Sequence, residues 1–453
     1  MRRLTSLITL ISLSGCATLT PQLGFKEVNE TFTTRSGNYL YWNTGSTEDE
    51  KVAQELSKLL SKELTSDSAT QIALLNNKSL QATYQNLGIA QADLIEAGLF
   101  PNPIFSGEVR FPSAGPNLEL SVVQSFIKIF EIPLRKKMAQ SQFDEAKIEV
   151  IERALLLAYE TQKTFYEYQA SEQLLEMART ALAALEASKD LATRLHNAGN
   201  ITDLDLAQEQ SNFESLKVEV TTHEEELILL REKLNSLLGL ETEKTNWKIA
   251  GRLPDPTLVK IDDAEKEALA NNLTLAKARL KLLTLATSLN IEEKFRIFDE
   301  SELGVSGAKE AEGKWGFGPA FSFPLPFFSQ GRTQIYRANA QLQQQHDLSV
   351  DMQIKIQSRL RSLLKRLRLS EARLVQYKKT LLPLQAKVVA ETQKQYNAML
   401  AGAFQLIEAK HKQIETGKDY LEALRSYWLL RSELESALSG LVPSLGDQEV
   451  YNQ

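Results

Sequence analysis

Apolar residues recur along this chain at two periods. In the stretch from 203 to 240, Leu206, Phe213, Val220, Leu227 and Leu234 stand every seven residues. Leu216, Leu230 and Leu237 form a parallel series three residues on, and His223 fills its remaining slot. Ile407, Ile414, Leu421 and Trp428 repeat the pattern near the C-terminus. A strict seven-residue repeat predicts helices packed as a left-handed coiled coil. Leu174, Ala178, Ala181, Leu185, Ala192 and Leu195 continue it on a preceding helix. From about Leu134 to Asn197 nothing interrupts that helix, which predicts a rod of roughly 95 Å. Elsewhere the period falls to two. Phe105, Val109 and Phe111 alternate around Gly107, and Leu118, Leu120 and Val122 follow a Pro112–Pro116 turn. Leu303 and Val305 precede a polar tip at 308–314, after which Trp315, Phe317, Phe321 and Phe323 alternate. These are predicted short strands, each with one apolar face.

The whole arrangement is written twice. Ala73-Leu74-Leu75-Asn76-Asn77-Lys78-Ser79-Leu80 resembles Ala268-Leu269-Ala270-Asn271-Asn272-Leu273-Thr274-Leu275, and Gly239-Leu240 is answered by Gly440-Leu441. The copies run over 67–240, with strands at about 103–126, and 262–441, with strands at about 302–325. Residues 16–66 precede them, 241–261 link them, and 442–453 form a tail. The breaks between helices are informative. His196-Asn197-Ala198-Gly199-Asn200 ends the first long helix, with Gly199 near its C-terminal cap. Thr202 and Asp205 have the spacing of a capping box for the next. Met399-Leu400-Ala401-Gly402 marks the matching turn in the second copy. Pro383 inside the second long helix predicts a kink or a lost hydrogen bond.

The N-terminus changes the picture of where such a chain resides. Met1-Arg2-Arg3 is basic, 4–13 is apolar, and Leu13-Ser14-Gly15-Cys16 carries the one cysteine of the sequence. This reads as a signal peptide over 1–15, too short to span a bilayer. With Cys16 directly after the cut it resembles the lipobox of bacterial lipoproteins, which implies a lipid anchor on Cys16. The full charge of −6 becomes −8 without Arg2 and Arg3, which argues against a nucleic-acid partner. No later apolar run reaches 18 residues. A membrane crossing would therefore require a β-barrel, and four strands cannot close one. Either several chains pool their strands, or the strands form a small sandwich layer in a soluble protein.

Catalysis has little support. His196, His223, His346 and His411 are scattered, and no phosphate loop, nucleophile elbow or metal-spaced pair is present. No enzyme activity, metal or cofactor is expected.

In combination these features resemble the TolC-type outer membrane efflux family, in its lipidated branch. The resemblance rests on the duplicated plan, the Asn-Asn start of each copy and Phe100-Pro101-Asn102-Pro103 before the first strand. Further carriers are Pro324-Leu325-Pro326-Phe327-Phe328-Ser329-Gln330-Gly331-Arg332 after the fourth strand, Leu382-Pro383 with Tyr396, and Leu406-Ile407-Glu408-Ala409. It implies a mainly helical homotrimer. Four strands per chain would give a twelve-stranded outer-membrane barrel, and the helices a periplasmic tube. The implied partners are outer-membrane lipid, a periplasmic adaptor protein and an inner-membrane pump of the RND type. The implied role is a conduit for small toxic solutes, drugs or metal ions. The implied gate is the periplasmic mouth, with Asp203, Asp205 and Glu408 as its carboxylates. Gly199, Asn200, Leu400 and Gly402 would touch the adaptor. Two departures stand out. Met399 occupies a place where the family often has glycine, and Gln405 a place where it carries an aspartate. Asp205 can equally be a helix cap alone. A different class of function is a structural periplasmic coiled-coil lipoprotein without a pore. The amphipathic hairpins discriminate, since a spacer has no use for them.

Overall fold

The computed structural model describes residues 22–111, 116–241, 245–257, 264–296, 301–309, 313–325, 327–328 and 330–442. The expected signal peptide, Cys16 and much of both hairpin turns lie outside the described residues. Helices α1 (Phe25–Ser36) and α2 (Thr47–Leu60) precede the repeats. The first copy contains α3 (Ser66–Asn76), α4 (Lys78–Ala97), β1 (Ile104–Arg110), β2 (Asn117–Ser125), α5 (Ile127–Asn197) and α6 (Asp203–Leu238). The second contains α7 (Ala264–Asn271), α8 (Leu273–Phe295), β3 (Glu302–Lys309), β4 (Trp315–Ser322), α9 (Arg332–Gln376), α10 (Leu382–Asn397) and α11 (Ala403–Ser439). The order expected from the duplication is present in both copies.

The compact units do not follow the copies. One comprises Met1–Val28, Thr83–Val150 and Thr274–Gln353, and the other Asn29–Ala82, Ile151–Leu273 and Ile354–Gln453, so each draws on both halves.

The first unit holds an antiparallel sheet in the order β1-β2-β3-β4. Its register places Phe105 opposite Val122, Val122 opposite Val305, and Gly307 opposite Phe317. Successive side chains alternate across a sheet. One face therefore gathers Phe105, Val109, Leu118, Leu120, Val122, Leu303, Val305, Phe317 and Phe321. The other carries Ser106, Glu108, Arg110, Glu119 and Ser121. There the Ser106 and Ser121 hydroxyls lie 2.6 Å apart, and Arg110 Nε donates to Glu108 at 2.8 Å. Among the described residues no helix is long and apolar enough to cross a membrane.

In the second unit the predicted heptads of α5 and α6 enter the core in part. In α11 the buried stripe is instead Ala423, Leu424, Tyr427, Leu430, Leu434 and Ala437, and Ile407, Ile414, Leu421 and Trp428 are only half-buried. Phe213 and Leu216 of α6 pack against Ala181 and Leu185 of α5, with Ile414 of α11 joining them. Val220 packs against Leu175 and Ala178. The Asn-Asn pairs gain a structural reason here. Asn76 Nδ2 donates to the carbonyls of Leu238 and Gly239 at 3.0 and 2.6 Å, and Asn77 Nδ2 to that of Leu237 at 3.0 Å. Asn271 Nδ2 repeats the contact on Leu438 at 3.1 Å. Each copy thus ties its first helix to the orphan carbonyls closing its last. Gly239 stands there at φ +65°, and a Cβ would lie 2.9 Å from the Asn76 carbonyl oxygen.

One local expectation is corrected and one is refined. The long helix of the first copy begins at Ile127 rather than near Leu134, and Pro133 sits inside it, within its second turn. Pro133 lies past the four N-terminal N–H groups that lack an intrahelical partner, so the bond to the Ile129 carbonyl is forfeited there. The hydrogen bond expected to be lost at Pro383 is absorbed without ending the helix. Tyr377–Leu381 instead form one turn of π-helix, with Leu382 N–H bonding Tyr377 O, and α10 follows directly. The wider turn keeps the upstream carbonyls clear of the proline ring.

Candidate functional site

The two helix hairpins end in turns of the same build. Ala198 N–H bonds Arg194 O, Gly199 N–H bonds His196 O, and Asn200 N–H bonds Leu195 O, at 3.1, 2.8 and 2.9 Å. Exactly homologous bonds join Ala398 to Lys394, Met399 to Tyr396 and Leu400 to Gln395, at 3.0, 2.9 and 2.8 Å. Gly199 has φ +72° and Met399 φ +60°. The second turn therefore keeps the left-handed backbone of the first without its glycine. The bonds on either side of Met399 hold it there.

Both turns open onto capped helices. The Thr202 hydroxyl accepts from Asp205 N–H at 3.1 Å, and Asp205 Oδ2 accepts from Thr202 N–H at 3.1 Å. The Thr202 hydrogen bonds hold the fully exposed Asp205 carboxyl below the usual carboxylate range. Gly402 stands where Thr202 would be, and Gln405 Oε1 accepts from its N–H at 3.1 Å. The glutamine at the departing position thus preserves half of the box without a charge. Asp203 Oδ1 lies 2.7 Å from His196 Nε2 across the turn.

The carboxylates are not at one level. Glu219 pairs with Lys418, and Glu226 with Arg425 at 3.5 Å, both at a separation of 199 residues. Helices α6 and α11 therefore run parallel, and Glu408 is level with Glu209 rather than with Asp205. The structure brings Asp203 and Asp205 together in one turn and sets Glu408 about one helical turn away along the axis. Glu209, which accepts from the Ser188 hydroxyl at 2.6 Å, was missed by the sequence reading because it has no counterpart in the repeat comparison. Leu204, Met399 and Leu400 project 75–95% exposed at the tips. Among the described residues no group of His, Cys, Asp or Glu could hold a metal ion.

The other feature built for contact is the sheet. Phe105, Val305, Phe317 and Phe321 are 58–77% exposed on its apolar face. Among the described residues β1 and β4 each have one unpaired edge. No protein-family model matches the sequence, and no curated protein matches it. Solved structures do. The outer membrane protein VceC of Vibrio cholerae is 16% identical, with 86% of this chain and 97% of that one covered at a TM-score of 0.66. The CmeC outer membrane channel of Campylobacter jejuni is 12% identical over 85% and 88%, at 0.69. CusC, described for the conformational changes that accompany transmembrane channel formation, is 16% identical over 84% and 93%, at 0.64.

The chain has the fold of these outer-membrane channels.

A TolC-type architecture accounts for both unusual surfaces: a sheet apolar on one face with open edges, and long helices ending in paired tips. At such low identity the likeness is one of fold, and the roles of single residues have to be argued from this chain.

Proposed function

We propose that the protein is the outer-membrane channel of an export system, active as a homotrimer. The observation that carries this reading is the four-stranded sheet with one continuous exposed apolar face and two unpaired edges. Unpaired backbone groups in lipid cost several kcal/mol each, so spanning strands must close into a barrel. Three copies supply twelve strands, with the apolar face toward lipid and the Ser106, Glu108 and Ser121 face toward the lumen. A periplasmic spacer has no need for such a face. In this reading Cys16 carries the lipid anchor. Asp203, Asp205 and Glu408, repeated around the axis, form a closed acidic mouth. Gly199, Asn200, Leu400 and Gly402 meet a periplasmic adaptor, which joins the channel to an inner-membrane pump of the RND type. The cargo class is small toxic solutes.

Native mass spectrometry of the full-length protein in detergent tests the assembly. Three chains per particle are expected, with stepwise conductance in planar bilayers. A folded monomer with intact strands and no conductance overturns the proposal.

A further inference from the structure

The apolar face of the sheet is not uniform. Every strand connects to a helix at one end of the sheet and to a hairpin turn at the other. The register sets a row across the turn end, Val109, Leu118, Lys309 and Trp315. The next row toward the helices is Gly107, Leu120, Gly307 and Phe317. Among the described residues of β1 to β4, Lys309 is the one charge on this face. Glu108, Arg110, Glu119 and Glu302 all stand on the other, because side chains alternate along a strand. Lys309 is exposed and sits at the edge of the face rather than in its middle. There a lysine stem can lie along apolar surface while its ammonium stays at the polar boundary.

Directly toward the helices from Lys309 the face opens into a groove of about 470 Å³. Phe105, Leu120, Val122, Val305, Trp315 and Phe317 line it, so all four strands of one chain contribute. Gly307 lies among them, two residues from Lys309 on the same strand. A Cβ at Gly307 would stand 2.8 Å from the Phe317 ring, so the absent side chain lets that ring lie close against the strand. The Trp315 ring stacks on Phe317, 5.9 Å away with planes 12° apart, and the two form one flat wall. From Lys309 to Val305 the strand runs about 13 Å. That is close to the hydrocarbon depth of one leaflet, about 15 Å.

We propose that each chain binds one lipid here, with an acyl chain in the groove and a headgroup phosphate on the Lys309 ammonium. Hydrocarbon and aromatic walls suit an acyl chain, and a single cation at their open end suits an anionic headgroup. The lipid is a phosphorylated, multiply acylated glycolipid of the lipid A type. This rests on the channel reading, which puts the helices in the periplasm and therefore the turn end of the sheet in the outer leaflet. The site needs no neighbouring copy, since its lining residues belong to one chain.

Native mass spectrometry of the full-length trimer, titrated with diphosphoryl lipid A, tests this. Phosphatidylethanolamine and phosphatidylglycerol are titrated in parallel. Lipid A is expected to saturate at one per chain, and phosphatidylethanolamine to bind at least fivefold more weakly. Lys309→Met is expected to weaken lipid A binding about fivefold, the effect of one cation at a membrane surface. Lys309→Arg should stay within twofold of the unsubstituted protein. Trp315→Ala removes a wall and keeps the cation, and is expected to weaken lipid A binding by at least threefold. The Lys309 variants change an exposed side chain, so they keep the test readable should Trp315→Ala fail to assemble. Lipid A binding that does not saturate, or that is unaltered in Lys309→Met, overturns the site and leaves the channel reading intact. Phosphatidylglycerol bound as tightly as lipid A overturns the glycolipid assignment. An unsubstituted protein that is monomeric overturns the channel reading itself.

Discussion

At the scale of single residues, the two tips make a natural comparison because their backbones agree while their side chains do not. Gly199 is at φ +72° with nothing within 4 Å of where a Cβ would stand, so Gly199→Ala introduces backbone strain and little else. Met399 already bears that strain at φ +60°. A left-handed residue with a Cβ costs about 1–2 kcal/mol. Amide hydrogen exchange at the tips should show protection falling roughly tenfold in Gly199→Ala, and rising by several-fold in Met399→Gly, where glycine's own entropy offsets part of the gain. The N-terminal reading depends on a single sulfur. Cys16→Ser is expected to abolish acylation, measured by mass spectrometry of the mature N-terminus. An unmodified Cys16 in the unsubstituted protein would remove the anchor from the account.

At the scale of elements, the two copies are joined by a ladder between α6 and α11. Burial raises the pKa of Glu219, but the Lys418 ammonium, by hydrogen bond and charge, brings it below the ordinary value, with His223 adding to the same effect. Because the folded pKa is depressed, this pair stabilises the helix contact at pH above the ordinary carboxylate value and is lost as pH falls through the lowered one. Urea unfolding between pH 6 and pH 3 should show that acid loss, and Lys418→Met should flatten it. At neutral pH the substitution should cost no more than about 1 kcal/mol, since Glu219 is partly solvated. The π-helical turn before Pro383 is the other element-level device. It re-phases α10 after a residue that cannot donate, and so keeps Val389 buried below the turn.

At the scale of the whole molecule, the proposed channel makes the two surfaces do different jobs. A charge on the apolar face of the sheet is expected to oppose membrane insertion by about 2–4 kcal/mol at mid-depth. Phe317→Asp should therefore lower the trimer yield in outer-membrane fractions, whereas Ser121→Asp on the polar face should be tolerated. At the mouth of the proposed trimer, symmetry would repeat every carboxylate three times on one axis and concentrate the field there. Glu408→Lys is expected to shift selectivity toward anions in single-channel recordings. Glu408→Ala with Asp203→Ala should increase the entry of large antibiotics into cells. Unchanged conductance and selectivity would show that these carboxylates are solvated helix caps, as the Thr202–Asp205 bonding permits for Asp205.

Much of this was determined by the sequence alone, because the features concerned are local and periodic. The apolar stripes of α5 and α6, the alternation in β1 to β4, the Gly199 turn and the Thr202–Asp205 box all follow from side chains a few residues apart. The buried stripe of α11, by contrast, was set by its neighbours and differs from the predicted one. The duplication was legible for the same reason: equal sequences fold equally. Tertiary structure decided what depends on partners distant in the chain. The Asn76 and Asn271 amides reach carbonyls more than 160 residues away, and no local pattern names them. The pairing of β2 with β3 joins two hairpins that the sequence shows only separately. The separation of 199 between α6 and α11 sets Glu408 level with Glu209 instead of Asp205. Register between helices comes from ion pairs and packing across the seam, and periodicity within one helix carries no information about its height against another.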